Sequence, residues 1–463
     1  MGRSIIALFL AASLAGCAVG PEYERPQVPT PENWRTTAEG TGSLADLTWA
    51  ELFQDEALQS LIRVALEENK DLRLAAARVL EARAQLGVTR SGQFPQVEGT
   101  ASYDTRRSSQ VSSAPIPAGT DLSKEVQKGT LDLSFEIDLW GRLRRATEAA
   151  RAELLASEEA RRVVVITLVS DVALSYFDLL DLDRELGIAK RTLASRREAL
   201  RIIRLREQEG LASELDLRRA EGELASTSAA IPDLERRIAQ VENGLSTLIG
   251  RNPGPIPRGT PLIAQDLPPA IPAGLPSDLL ERRPDIRQAE QRLVATNARI
   301  GEAKAAFFPR IFLTGAFGVE SVALSDLFTG PARIWQFGPT VTLPIFTGGR
   351  NRAQLSVAES RQEQALIQYQ QTLLQAFREV EDALVAHRKV REVRVEQETQ
   401  VASAQRTLVL AQLRYVNGLA SYLDVLDAQR QLFEAEIGLT RTQRTQLAAV
   451  VQVYKALGGG WTP

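Results

Sequence analysis

Gly210-Leu211-Ala212-Ser213 recurs unchanged as Gly418-Leu419-Ala420-Ser421, 208 residues further along the chain. Asp216 and Asp424 keep the same separation, as do Gly250 and Gly458. Nearer the start, Asp71-Leu72-Arg73 matches Asp285-Ile286-Arg287 and Phe94-Pro95-Gln96 matches Phe308-Pro309-Arg310, both 214 apart. Self-similarity on this scale means that one structural unit occurs twice. The change of offset falls between the two blocks, where loops absorb it. The repeats are read as 46–250 and 277–458, joined by a proline-rich extended linker at 251–276 and followed by a short tail, 459–463.

Each repeat reads as the same succession of elements. A medium helix (about 57–92, and about 277–306) leads to two strand-like runs, a very long helix, the Gly-Leu-Ala-Ser turn and a final helix (212–248, and 421–457). The long helices cover 142–208 and 350–417, each on the order of 100 Å. Ala365, Tyr369, Leu373, Ala376, Val380, Ala383, His387 and Val390 step by threes and fours. Leu186, Ala189, Leu193, Leu200 and Ile203 do the same, with Arg196 breaking the run. Such spacing is a coiled-coil seam, and its alanines let neighbouring helices approach closely. His387 is read as a packed or solvent-bridged member of that seam. Pro232 is expected to kink or break the helix after the first turn.

The strand pairs, 96–105 with 130–140 and 310–319 with 337–346, have a period of two. Leu131, Leu133, Phe135, Ile137 and Leu139 alternate with Asp132, Ser134, Glu136 and Asp138. Phe337, Val341, Leu343 and Ile345 alternate with Gly338, Thr340, Thr342 and Pro344. Runs of about ten residues, apolar on one face, are what a transmembrane β-barrel needs. Trp140, Trp335 and Phe346 suit its aromatic girdles, and by parity Asp132, Glu136 and Asp138 line the lumen. A soluble, half-buried sheet produces the same alternation.

The chain of 463 residues is 44% hydrophobic and 24% charged, ample for an ordered core, and its net charge of −3 argues against nucleic-acid binding. One cysteine, one histidine and one methionine exclude disulfide staples, multi-ligand zinc sites and Cys/His nucleophilic dyads. With no phosphate loop either, the reading is non-enzymatic, with no cofactor and no metal. Arg3 precedes a short apolar run from Ile5 to Leu14, followed by Leu14-Ala15-Gly16-Cys17. That is a secretory signal peptide, 1–16, ahead of an extended segment at 17–45. No other stretch is read as a transmembrane helix, so a membrane crossing requires a closed barrel. Four strands cannot close one, whereas three chains supply twelve, an even number within the known range.

The tetrapeptide ending at Cys17 resembles the bacterial lipobox, whose cysteine becomes the acylated N-terminus, and Ala18 is compatible with outer-membrane sorting. The lipobox, the duplicated strand-pair and long-helix plan, the Phe-Pro strand entries and the paired Gly-Leu-Ala-Ser turns together resemble the TolC family. The nearest branch is the outer-membrane lipoproteins of resistance-nodulation-division efflux systems. The resemblance implies a mostly α protein with β. Its homotrimer would form a 12-stranded barrel, four strands per chain, continuous with a long periplasmic α-helical barrel. It also implies a passive exit channel for small molecules (drugs, toxic compounds or metals). A periplasmic membrane-fusion adaptor would link it to an inner-membrane transporter of that class.

Candidate site residues follow from both routes. Cys17 is the lipidation site, and covalent lipid is the only attached group expected. Gly210, Leu211, Ala212, Ser213, Gly418, Leu419, Ala420 and Ser421 form two helix turns, with glycine ending one helix and serine capping the next. By resemblance these turns meet the adaptor. Asp424 and Asp427, three apart, share one helix face, and in a trimer each would form a ring that favours cations. By resemblance they match the aspartates of the closed periplasmic aperture, and Tyr415 with Asp216 matches a hydrogen bond that holds it shut. Ala420 stands where the family's archetype has an arginine of this lock. A lipid-anchored periplasmic coiled-coil scaffold or adaptor is the alternative of another class, and it has no need of four membrane-length strands.

Overall fold

The computed structural model describes residues 18–35, 43–111, 117, 119–265 and 272–459. Cys17 and the signal segment lie outside the described residues. The main helices are α1 (Glu56–Glu68), α2 (Lys70–Ser91), α3 (Arg142–Gln208), α4 (Glu214–Leu248), α5 (Pro284–Ala305), α6 (Arg350–Val416) and α7 (Tyr422–Ala456). The strands are β1 (Gln96–Arg107), β2 (Ser123–Ile137), β3 (Arg310–Ser321) and β4 (Arg333–Thr342). The duplication is legible in the lengths: α2 and α5 have 22 residues each, α3 and α6 have 67, and α4 and α7 have 35. The chain divides into two compact units.

The strand-bearing unit comprises Met1–Gln27, Val79–Ser157 and Ala289–Tyr369. Its four strands pair antiparallel in the order β1-β2-β3-β4, leaving β1 and β4 as edges. The register sorts the two faces. Leu131 opposes Phe317, which opposes Trp335; Leu133 opposes both Val97 and Gly315, and Gly315 opposes Phe337; Ile137 opposes Ile311, which opposes Val341. The other face carries Glu98, Asp132, Ser134, Glu136, Thr314, Gln336 and Thr340. The apolar face is not covered: Trp335 is 80% exposed, Phe337 63% and Phe317 62%. A soluble sheet buries that face, because exposed apolar patches of this size are unfavourable in water. The soluble alternative therefore does not hold.

Two strands are displaced from their sequence-based bounds. β2 begins at Ser123 rather than 130, pairing Ser123 with Arg107 in a polar stretch whose ladder is held by backbone bonds, not by apolar alternation. It ends at Ile137, since Gly141 turns the chain at φ +78° and Trp140 stacks on Phe308 at 4.7 Å. Trp140 thus sits at the junction of β2 and α3, where it donates its Nε1–H to the Pro309 carbonyl at 2.8 Å. β4 spans Arg333–Thr342 rather than 337–346, because its register follows β3 from Val319 back to Arg310. Leu343, Ile345 and Phe346 lie beyond it and are exposed. On the polar face, Glu136 accepts a forked pair of bonds from Arg142 at 2.9 and 2.7 Å. Asp138, past the end of β2, caps the Arg144 backbone N–H at 2.9 Å.

The N-terminal residues run as a strap along α5 in this unit. Val19 N–H donates to the Trp140 carbonyl at 3.0 Å, and Asn297 Nδ2 donates to the Pro21 carbonyl at 3.1 Å. Arg25 forks Glu290 at 2.6 and 2.8 Å, and the Tyr23 hydroxyl donates to the same carboxylate at 3.1 Å.

The helical unit comprises Val28–Arg78, Glu158–Gln288 and Gln370–Pro463. Its core draws Leu58 and Ile62 from α1, Val172, Ala173 and Tyr176 from α3, and Val453 and Tyr454 from α7, all essentially inaccessible. Asp55 is buried at the start of α1, where it accepts from the Ala57 and Leu58 N–H groups. The same carboxylate accepts from the Tyr176 hydroxyl, Thr260 N–H and Gln265 Nε2, pinning the linker's first part. Contrary to the sequence reading, α3 contains one window long and apolar enough to cross a membrane, but over half of it is buried inside the protein. α4 runs through Pro232 without ending, so that proline does not break the helix. The seam residues Tyr369, Leu373, Ala376, Val380, Ala383 and His387 are all buried.

Candidate functional site

The two repeated turns have one geometry, set by a shared hydrogen-bond pattern. At the end of α3, Leu211 N–H donates to the Arg206 carbonyl at 2.7 Å and Gly210 N–H to that of Glu207 at 2.9 Å. At the end of α6, Leu419 N–H donates to the Arg414 carbonyl at 2.8 Å and Gly418 N–H to that of Tyr415 at 3.0 Å. This double closure satisfies orphan carbonyls and requires a left-handed residue, supplied by Gly210 at φ +69° and Gly418 at φ +70°. Each turn leaves one leucine facing water: Leu211 is 70% exposed and Leu419 69%.

Serine opens the next helix in both repeats. Ser213 Oγ accepts from the Asp216 N–H at 3.1 Å and donates to the Asp216 carboxylate at 2.8 Å. Ser421 donates its backbone N–H to Asp424 Oδ2 at 2.8 Å and its hydroxyl to the same oxygen at 3.0 Å. Asp216 and Asp424 each stand three residues past a serine, Asp216 accepting its hydroxyl and Asp424 both its hydroxyl and its backbone N–H. Asp427 is ion-paired with Arg430 at 3.0 Å. The two aspartates share a helix face, yet each has its own local partner.

Tyr415 and Asp216 are not joined by a hydrogen bond among the described residues. Asp216 is engaged by Ser213, while the Tyr415 ring lies 5.5 Å from that of Tyr422 and beneath the Arg206 guanidinium at 4.9 Å. Tyr422 is buried in a cluster with Leu200 and Ile203 of α3, Ala220 of α4, and Val425 and Leu426 of α7, against which Tyr415 packs. Burial first, then Tyr415, pushes its phenol up to about 12. The contact between the repeats at this end is aromatic and cationic. Ala420 contributes no charge to it.

Sequence reasoning missed Arg206, Tyr422 and the role of Arg196. Arg206 and Arg414 occupy equivalent places four residues before each glycine, a signal visible in the 208-residue offset. Their environments differ: Arg206 covers a ring, whereas Arg414 donates to the Leu419 carbonyl of its own turn at 3.3 Å. Arg196 stays in the α3 seam although charged, 6% exposed. It bonds the Glu223 carbonyl at 2.8 Å, the Glu223 carboxylate at 2.9 Å and the Thr227 hydroxyl. Burial pulls its pKa down, and Glu223 opposes that shift.

A family model described as outer membrane efflux protein matches residues 61–251 and 275–459. The chain is 38% identical to the cation efflux system protein CusC of Escherichia coli O6:H1, over 98% of this chain and 97% of that protein. It is 40% identical to the solvent efflux pump outer membrane protein SrpC of Pseudomonas putida, over 98% of each. The solved open state of the MtrE outer membrane channel of Neisseria gonorrhoeae shares the fold at a TM-score of 0.88 and 35% identity. That match covers 96% of this chain and 99% of the other.

Proposed function

The chain belongs to the outer membrane efflux protein family, and on that premise we propose that three copies close one 12-stranded barrel and form the passive exit channel of a tripartite efflux pump. The sheet carries this reading: both edges are open and its apolar face is exposed, so neither water nor lipid tolerates a single copy. Lipid would satisfy the apolar face, and strand pairing between copies would satisfy the edges. Acylation of Cys17 would add an anchor ahead of the strap. The exposed leucines of the two turns, Leu211 and Leu419, offer apolar knobs to a periplasmic adaptor, and an inner-membrane transporter of the resistance-nodulation-division class supplies the energy. Asp424 and Asp427 would ring the aperture, and the Arg206–Tyr415–Tyr422 contact would hold it. The relatives named for cations and for solvents support small molecules as the exported class.

Outer-membrane fractions should contain trimers that resist sodium dodecyl sulfate until heated, and the purified trimer should conduct in planar bilayers. Extraction as a peripheral monomer without conductance would instead return the scaffold reading.

A further inference from the structure

Five arginines line one groove in the strand-bearing unit. It measures about 530 Å³ and lies among the start of α3, the end of α5, the first residue of β3 and the first turns of α6. Arg142, Arg299, Arg310, Arg350 and Arg361 face it, with Glu302 as the one carboxylate. Arg142 is held by Glu136, and Arg299 reaches Glu153 at 3.1 Å. Arg310, Arg350 and Arg361 are exposed and make no ion pair among the described residues. Two long helices, α3 and α6, begin at Arg142 and Arg350, so their positive ends add to the same field. Asn351, buried, donates to the Ala306 carbonyl at 2.8 Å and fixes the start of α6 against the end of α5. The wall between the guanidinium groups is apolar, built from Ala303, Ala306 and Val357.

Which side the groove opens to follows from α5. Glu290, Asn297 and Gly301 take the N-terminal strap, whereas Thr296, Arg299, Ala303 and Ala306 line the groove. At about 100° per residue these two sets are centred on opposite faces of the helix. The strap leads back toward the acylation position and so marks the outer face, which leaves the groove on the inner one. This assignment rests on the exit-channel reading.

We propose that the groove is a binding site for amphiphilic organic anions on the inner wall of the channel. Guanidinium forks match sulfonate, carboxylate and phosphate oxygens, and the alanine and valine wall takes an apolar body. Free arginines beside an apolar wall suit transient binding of a compound in transit, because no closed pocket retains it.

The test uses the full-length trimer in neutral detergent with 2-naphthalenesulfonate as probe and naphthalene-2-sulfonamide as its uncharged counterpart, followed by calorimetry. The sulfonate is expected to bind the wild type, to weaken as salt rises, and to bind at least about tenfold more weakly to Arg350→Gln with Arg361→Gln. Arg310→Gln alone should give a smaller loss, and the sulfonamide should not distinguish the proteins. Equal sulfonate binding by wild type and double variant, or binding by neither, overturns the site. In bilayers the sulfonate should reduce single-channel current in the wild type more than in the variant. Binding without any conducting channel would sink the exit-channel reading while leaving the anion site in place.

Discussion

Arg206 carries its guanidinium 4.9 Å from the centre of the Tyr415 ring, and that ring lies 5.5 Å from Tyr422. Within the chain Tyr415 is thus held through its ring. Tyr415→Phe should leave resting conductance unchanged. Tyr415→Ala and Arg206→Ala should each raise it and cost about 1 kcal/mol of stability. Equal leakage from Tyr415→Phe and Tyr415→Ala would point back to a hydroxyl contact with Asp216. Asp181 makes a second residue-scale case. It is 8% exposed, and its Oδ1 has no hydrogen-bond partner among the described residues. Burial, then Glu185, pushes its carboxyl from 3.8 up to about 6, with Arg441 and Arg444 opposing and Asp178 adding to the rise. A folded-state value above the unfolded one means the folded protein holds the proton more tightly. Stability from this residue is complete below pH 3.8 and is lost as the pH rises through 6. Asp181→Asn should thus stabilise the protein by roughly 2 kcal/mol at pH 7.5, after allowing for solvent screening, and by almost nothing near pH 4. A melting difference that does not change between those pH values would contradict the assignment.

At the scale of elements, the ends of the long helices are set by local chemistry. At Gly210 an added Cβ meets nothing within 4 Å among the described residues, so there the left-handed backbone is what resists substitution. At Gly250, which closes α4, the same atom would sit 2.4 Å from the Glu68 carbonyl oxygen. Gly210→Ala should cost about 1 kcal/mol in a denaturant titration, and Gly250→Ala clearly more, because backbone must also move. Comparable losses at both positions would mean that packing around Gly250 relaxes freely. These turns were legible in the sequence because glycine and serine act within a few residues of themselves. Strand bounds were less so: the polar Ser123–Lys128 half of β2 carries no apolar alternation, and only its pairing with β1 makes it a strand.

For the whole assembly, a ring exists only when copies meet. Asp424→Asn with Asp427→Asn keeps an acceptor for Ser421 and removes the charge. Trimers resistant to detergent should persist, while block of single channels by multivalent cations should weaken several-fold. Unchanged block would place the acidic rings away from the conducting path. The efflux family match over 61–251 and 275–459 and the open-edged sheet agree on an outer-membrane channel component. In it, pairing energy that a soluble sheet finds within one chain has to come from others.

The sequence alone determined the duplication, the lengths of the long helices, the capped turns and the two-faced strands, since each depends on residues a few positions apart or on exact recurrence. The single helix expected over 57–92 is instead two, Glu56–Glu68 and Lys70–Ser91, because Asn69 leaves the helical conformation and caps the second. Tertiary structure decided what periodicity cannot express. It showed that the apolar strand face lacks cover and that Tyr415 answers to Arg206 of the other repeat. It also gathered five arginines from separate helices and a strand into one groove. Those outcomes rest on contacts between residues hundreds of positions apart, and only the packed chain sets their geometry.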